Sequence, residues 1–198
     1  STVQSTVWGF LVGISTGFVA GLVLGRNDRL ARIFEPYIIA FNSLPRIALV
    51  PLITMIFGFG LLAKVVLAWS IVFFIVFFNT FQGARSVDAD LIHSARFLGA
   101  SEGQIMRTVV IPSALAWTFA SLTPSISFAL IGVVVGEFIG GESGGGLGYL
   151  IIQSLGTLNA ADMMVALLVL GVIGIVMALG IKQVESRLLR WRPEYQKR

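Results

Sequence analysis

The chain has 198 residues, 56% of them hydrophobic and 12% charged, with a mean hydropathy of +0.90, which leaves too little polar surface for a soluble domain of this size. With no cysteine and one histidine, His93, disulfides, thiolate metal sites and a histidine metal cluster are excluded. The net charge of +4 gathers beside apolar runs rather than on an aromatic-studded basic face, which argues against a nucleic-acid partner.

The opening "STVQST" has neither a methionine nor a basic segment, so it is not a secretory signal, and the chain is expected to begin inside a longer polypeptide. The first apolar run, residues 7–25, is long enough to cross a hydrocarbon core of about 30 Å. Runs at 63–81, 114–138 and 163–181 are its equals. All are continuously apolar rather than alternating, which predicts helices and not barrel strands.

A shorter run at 47–60 is interrupted. "FNSLPRIALVP" puts Asn42, Ser43, Pro45, Arg46 and Pro51 where a plain span would hold leucines. Proline frees backbone carbonyls, and irregular backbone at membrane depth survives only inside protein or beside a watery cavity. Broken spans mark transport paths. Asn42, Pro45 and Arg46 are therefore candidate pathway residues, with a plain interface anchor as the other reading of Arg46. "GFGLLA" loosely matches a dinucleotide fingerprint, but it joins two spans and no acid follows about twenty residues on. Asn79, near the end of the 63–81 run, joins the pathway candidates.

The stretch "HSARFLGASEGQIMRTVVIP", residues 93–112, is ordered far beyond the needs of a connection. Asp88 and Asp90 suit a helix start, and Ile92, Ala95, Leu98 and Gly99 recur at helical spacing as a narrow apolar face. Gly99 fits a left-handed helix end. Ser101 and Gln104 have capping-box spacing, with Glu102 in the first turn, and Pro112 suits the start of the next span. The expected order is helix, sharp turn, short helix, turn, membrane. A lid packed on its own protein is the alternative to a docking loop.

Within 114–138, Thr118, Ser121 and Ser125 and then Ala129, Gly132 and Gly136 fall roughly on one face, with Pro124 expected to bend the helix. Close helix packing explains such a face, and pathway lining by the hydroxyls is the sharper alternative. "GGESGGGLGYLIIQSL" predicts a turn followed by a short helix at the membrane surface, serving as a linker, part of an outer gate or a docking point.

Arginine and lysine set the orientation. Arg26, Arg29 and Arg32, then Arg85, Arg96 and Arg107, then Lys182, Arg187, Arg190, Arg192, Lys197 and Arg198 fall on one side, expected to be the cytoplasm. The opposite loops are expected to hold Lys64, Glu137, Glu142 and Asp162. The fragment then starts outside and ends inside after five crossings. Arg46 is the one ionisable group expected within the spans, which disfavours a proton-driven carrier, because such carriers use buried acids or histidines. No Walker A lysine is present, so ATP would have to be hydrolysed by another chain.

The 93–112 stretch resembles the "EAA" loop of binding-protein-dependent permeases, the membrane subunits of ABC importers. Ala95, Gly99, Val109 and Pro112 fall on the motif's spacing, while His93 and Ser94 stand where the motif has Glu-Ala. "LPRIALVPLITMIFGFGLLAKV", "FFNTFQGARSVDADLI" and "GGGLGYLI" are similar to the branch that imports sulfonates, taurine, nitrate and vitamin precursors. The resemblance implies one all-α permease domain over 1–198, a type I importer bundle of about five membrane helices, relatives usually having one more upstream. Its coupling loop would span 82–112, with His93, Ser94, Ala95, Gly99, Ala100, Ser101, Glu102, Gln104, Arg107, Val109 and Pro112 meeting the ATPase. It also implies partners: ABC ATPase subunits carrying ATP and Mg, a second permease subunit in a homodimer, a periplasmic or lipid-anchored solute-binding protein, and the lipid of a bacterial inner membrane. No cofactor is expected on this subunit. The rival is an ATP-independent secondary carrier or facilitator.

Overall fold

The fold is that of a computed structural model, which describes residues 1–188, without the side chains of residues 141–144. Arg190, Arg192, Lys197 and Arg198 and the Glu142 side chain, used above for orientation, lie outside the described residues.

Each long apolar run forms one helix, because in lipid every backbone donor and acceptor must be satisfied within the segment. These helices are α1 (Thr2–Arg26), α4 (Leu61–Arg85), α7 (Ile111–Gly144) and α9 (Ala160–Leu188). Helix α4 is the centre, with α1 along one flank and α7 along another. The α1–α4 contact rests on Gly9, Gly13, Gly17, Gly21 and Gly25, one per turn. A Cβ on Gly13 would sit 2.6 Å from the Cβ of Val72, and one on Gly17 would sit 2.7 Å from the Phe73 carbonyl. Only bare backbone fits there, and the helices touch along their full shared length. Phe10, Val72, Val76, Leu122, Ile126 and Val133 form the core where α1, α4 and α7 meet.

The interrupted region is longer than expected. Asn27 restarts the chain, its side chain accepting from the Arg29 and Leu30 amides, so a further helix, α2 (Asp28–Ser43), precedes the break. Leu44 and Pro45 are extended, a tight turn covers Arg46–Leu49, and α3 (Val50–Phe57) leaves at 82° to α2. Together they make one bent span or a re-entrant excursion.

The connection after α4 holds α5 (Ala89–Phe97) and α6 (Glu102–Ile105). The expected turn between α6 and the next span is absent. Residues Met106–Val110 continue as a widened helical turn, the Ile111 amide bonding the Met106 carbonyl five residues back, and run straight into α7. Pro112 supplies the reason: its ring cannot sit against the carbonyl four residues earlier, and a wider turn relieves the clash without ending the helix. Helix α7 also continues through Pro124. After Gly145 and Gly146, both at positive φ, α8 (Leu147–Gly156) lies between α7 and α9, too short to cross a membrane.

Candidate functional site

The loop end of the bundle is built by local capping. Asp88 accepts the Asp90 amide and starts α5. Gly99, at φ +83°, closes it: its amide bonds the Arg96 carbonyl and the Ala100 amide bonds the Ala95 carbonyl. Those paired bonds across a left-handed residue are the Schellman closure. Ser101 and Gln104 then form the expected reciprocal box, at 3.3 and 2.8 Å. Glu102 is gripped by Arg96 at 2.7 Å and by Arg26 of α1 at 3.2 Å, tying α6 to the bundle. The hydrogen bond from Arg96, reinforced by its charge and by Arg26, holds the exposed Glu102 carboxyl below the ordinary carboxylate range.

Ile92, Ala95, Ala100 and Val109 turn inward onto Ala84, Ile105, Val110 and Ala114. Leu98 does not. The sequence pattern placed it on the apolar face, but helical geometry stops at Phe97, and Leu98 turns outward, 86% exposed beside Phe97 at 96%. The outer surface of this helix pair thus carries three exposed apolar side chains, Leu91 and the nearly bare Phe97 and Leu98, among exposed His93, Ser94, Ser101, Gln104 and Arg107. Pro112 is half-buried at the start of α7. Phe97 was missed as a site residue, although a large aromatic one place outside the inward-facing pattern was a readable signal.

The pathway candidates separate into two places. At the bend, Arg46 donates to Asn42 at 2.9 Å and lies over the Phe74 ring of α4, 4.4 Å from its centre, with Pro45 directly before it. Asn79 donates to the Ile75 carbonyl of its own helix. Thr118, Ser121 and Ser125 are elsewhere, buried along α7. Thr118 shares a 2.7 Å hydrogen bond with Thr80, while Ser121 and Ser125 donate to their own helix. Ala129, Gly132 and Gly136 also meet α4, where a Cβ on Gly132 would lie 2.7 Å from Ile71.

The opposite end corrects the expectation that Arg46 alone is charged within the spans. Lys64 lies in α4 and Glu137 in α7, 2% and 0% exposed, with 3.2 Å between ammonium and carboxylate. They were assigned to loops because each lies near a span end; mutual pairing is what lets both be buried. Glu137 also accepts the Gly148 amide of α8 at 2.9 Å and the Thr2 hydroxyl at 2.9 Å. Thr2 in turn accepts the Leu147 amide at 2.9 Å, and Lys64 donates to the Gly145 carbonyl at 2.8 Å. Among the described residues no group of acids or histidines could hold a metal ion.

A family model described as "Binding-protein-dependent transport system inner membrane component" matches residues 13–190. The chain is 31% identical to the aliphatic sulfonates transport permease protein SsuC of Bacillus subtilis (strain 168) over 188 residues, 95% of this chain and 67% of that protein. It is 28% identical to the formylaminopyrimidine transport permease protein ThiX of Halalkalibacterium halodurans, over 93% of this chain and 73% of that one. In three dimensions it is similar to a chain of the MetNI methionine ABC transporter in inward-facing conformations, with a TM-score of 0.72 and 24% identity over 96% of this chain and 91% of that one.

Proposed function

Since the chain belongs to the family of binding-protein-dependent transport system inner membrane components, we propose that α5 and α6 are its docking surface for an ATP-hydrolysing subunit and that its cargo is a small organic anion. It is a multi-pass membrane protein and a permease subunit of an ABC importer. Hydrolysis belongs to the partner ATPase, which binds ATP and Mg; a second copy of the permease completes the pathway, and a solute-binding protein delivers cargo. The observation that carries the docking role is the exposed Phe97–Leu98 pair, held outward by the Gly99 closure and the Ser101 box. A lid would turn such side chains inward. Purification of the tagged chain from its own membranes tests this: an ATPase subunit should be retained, and its absence would sink the assignment.

The buried Glu137 removes one argument against a secondary carrier, the lack of an intramembrane acid. Family membership decides the class instead. An anionic cargo is supported by SsuC and by Arg46, whose guanidinium faces the bend through one hydrogen bond and one ring. Arg46→Gln should cut uptake of a short alkanesulfonate at least fivefold in a reconstituted system, with ATPase assembly unchanged. Unaltered uptake would make Arg46 an interface anchor.

The loop end, with Arg26, Arg85, Arg96 and Arg107, belongs in the cytoplasm, and the C-terminus with it. Because the chain has no cysteine, single ones report cleanly. A cysteine at Leu158 should react with an impermeant maleimide in intact cells, and one at Ser101 only after permeabilisation. The opposite pattern would invert the topology.

A further inference from the structure

The ion pair at the far end of the bundle has no part in docking or at the bend. We propose that Glu137 is a positioning residue for transport: its carboxylate locks the start of α8 to the end of α7, so that α8 moves with the helix that rises from the docking loop.

Three observations carry this. Charges inside membrane spans are costly and are kept where they do something that apolar packing cannot. Here one carboxylate, fully buried, holds an amide of α8, a hydroxyl of α1 and the ammonium of α4 at 2.9 to 3.2 Å. Second, α8 is fitted around that carboxylate. A Cβ on Gly146 would collide with the Glu137 carboxylate, and one on Gly148 would lie 2.8 Å from its Cβ. The negative charge also faces the α8 N-terminus, where the helix dipole favours it. Third, helix is continuous from α6 through the widened turn into α7, the apolar stretch Glu102–Gly140 alone spanning 39 residues, and Glu137 lies near its outer end. Docking loop and α8 are therefore joined through a single element. A groove of about 710 Å³ between α8 and α9, edged by Gln153, Asn159 and Asp162, is as wide as the placement of α8 makes it.

An ammonium–carboxylate pair alone would not need the acceptor to be on α7. The Gly148 amide does, because it can bond only to an acceptor. That asymmetry separates a latch from a plain ion pair.

The inference rests on the permease assignment, and the test uses the transporter assembled with its ATPase in lipid nanodiscs, supplied with Mg-ATP and no binding protein. The variants are Glu137→Gln, Lys64→Met, the two combined, and the exchange Lys64→Glu with Glu137→Lys. Glu137→Gln should speed deuterium uptake at the amides of residues 147–151 at least tenfold and leave those of 89–105 unchanged. ATP hydrolysis should rise at least threefold, because α7 is released from its outer restraint. Glu137→Gln keeps an acceptor for the Gly148 amide but leaves the buried Lys64 ammonium without its carboxylate; the combined neutral variant removes that ammonium too and should return both readings to within about twofold of the original. The exchange should not, since lysine cannot accept. Should Glu137→Gln fail to assemble, Lys64→Met carries the same comparison. Unchanged uptake at α8 overturns the proposal, as does full restoration by the exchange. Loosened α8 with unchanged hydrolysis also overturns it, making Glu137 a structural residue only. Loss of the ATPase from the unaltered chain would strike the permease assignment instead.

Discussion

Gly13→Leu should loosen α1 against α4 and lower the thermal stability of the whole bundle. The glycine faces Val72 so closely that the first added carbon would lie 2.6 Å from that side chain's Cβ and 2.7 Å from a Cγ. Neither helix can yield locally, because Gly9, Gly17, Gly21 and Gly25 hold the same spacing on both sides. Overpacking a filled core costs about 1–3 kcal/mol, and a contact made of backbone sits at the upper end of that range. For a chain of this size the thermal midpoint should fall by roughly 5–10 °C. Gly171→Leu is the control, since nothing lies within 4 Å of a Cβ there. Scanning both variants by fluorescence-detected unfolding in detergent decides the matter. Equal midpoints would mean that α1 is held by something other than this stripe.

Gly99→Val should leave the membrane helices intact and uncouple the protein from its ATPase. No neighbour lies within 4 Å of a Cβ at this position, so the cost within the chain is backbone strain alone. Left-handed backbone costs an ordinary residue about 1–2 kcal/mol, and a β-branched one more. The strain is relieved by opening the paired bonds to Arg96 and Ala95, which re-aims Phe97 and Leu98. Retention of the ATPase on a column should fall at least tenfold, while the unfolding midpoint falls by no more than about 5 °C. Ser101→Ala removes one side of the capping box and should cost about 0.5–2 kcal/mol of α6 stability. Its effect on retention should be smaller, because the turn at Gly99 survives. If Gly99→Val bound the ATPase and transported as before, the loop would be a lid.

The spans were legible because continuous apolar runs of that length have few other homes. The caps of α5 and α6 were legible for a different reason: aspartate, serine, glutamine and glycine act there on backbone groups within four residues, so the chemistry is written locally. What could not be read depended on distant partners. Lys64 and Glu137 are 73 residues apart, and each alone looks like an end-of-span charge. Leu98 obeys the period of α5 but lies one residue past its end, where the period no longer applies. Pro112 does sit in the first turn of α7, but the turn expected before it is a widened helical one that joins α6 to the span. The glycine stripe of α1 was fully present as a period of four and went unread, because attention to polar groups overlooks a contact whose content is the absence of side chains. Where cargo passes is not legible in the same way, since Arg46 and Asn42 gain meaning only beside Phe74.

The uninterrupted run from Glu102 to Gly140 has a mechanical consequence. At 1.5 Å per residue its 39 residues reach about 58 Å, nearly twice a hydrocarbon core of about 30 Å. It is a lever. A tilt of roughly 10° about its inner end carries the outer end sideways by about 10 Å, of the order of one helix diameter. A hinge at Pro112 would have absorbed such a rotation. The widened turn keeps the run continuous, so a rotation that leaves the capping bonds at α6 in place would be carried on into the outer half of the helix.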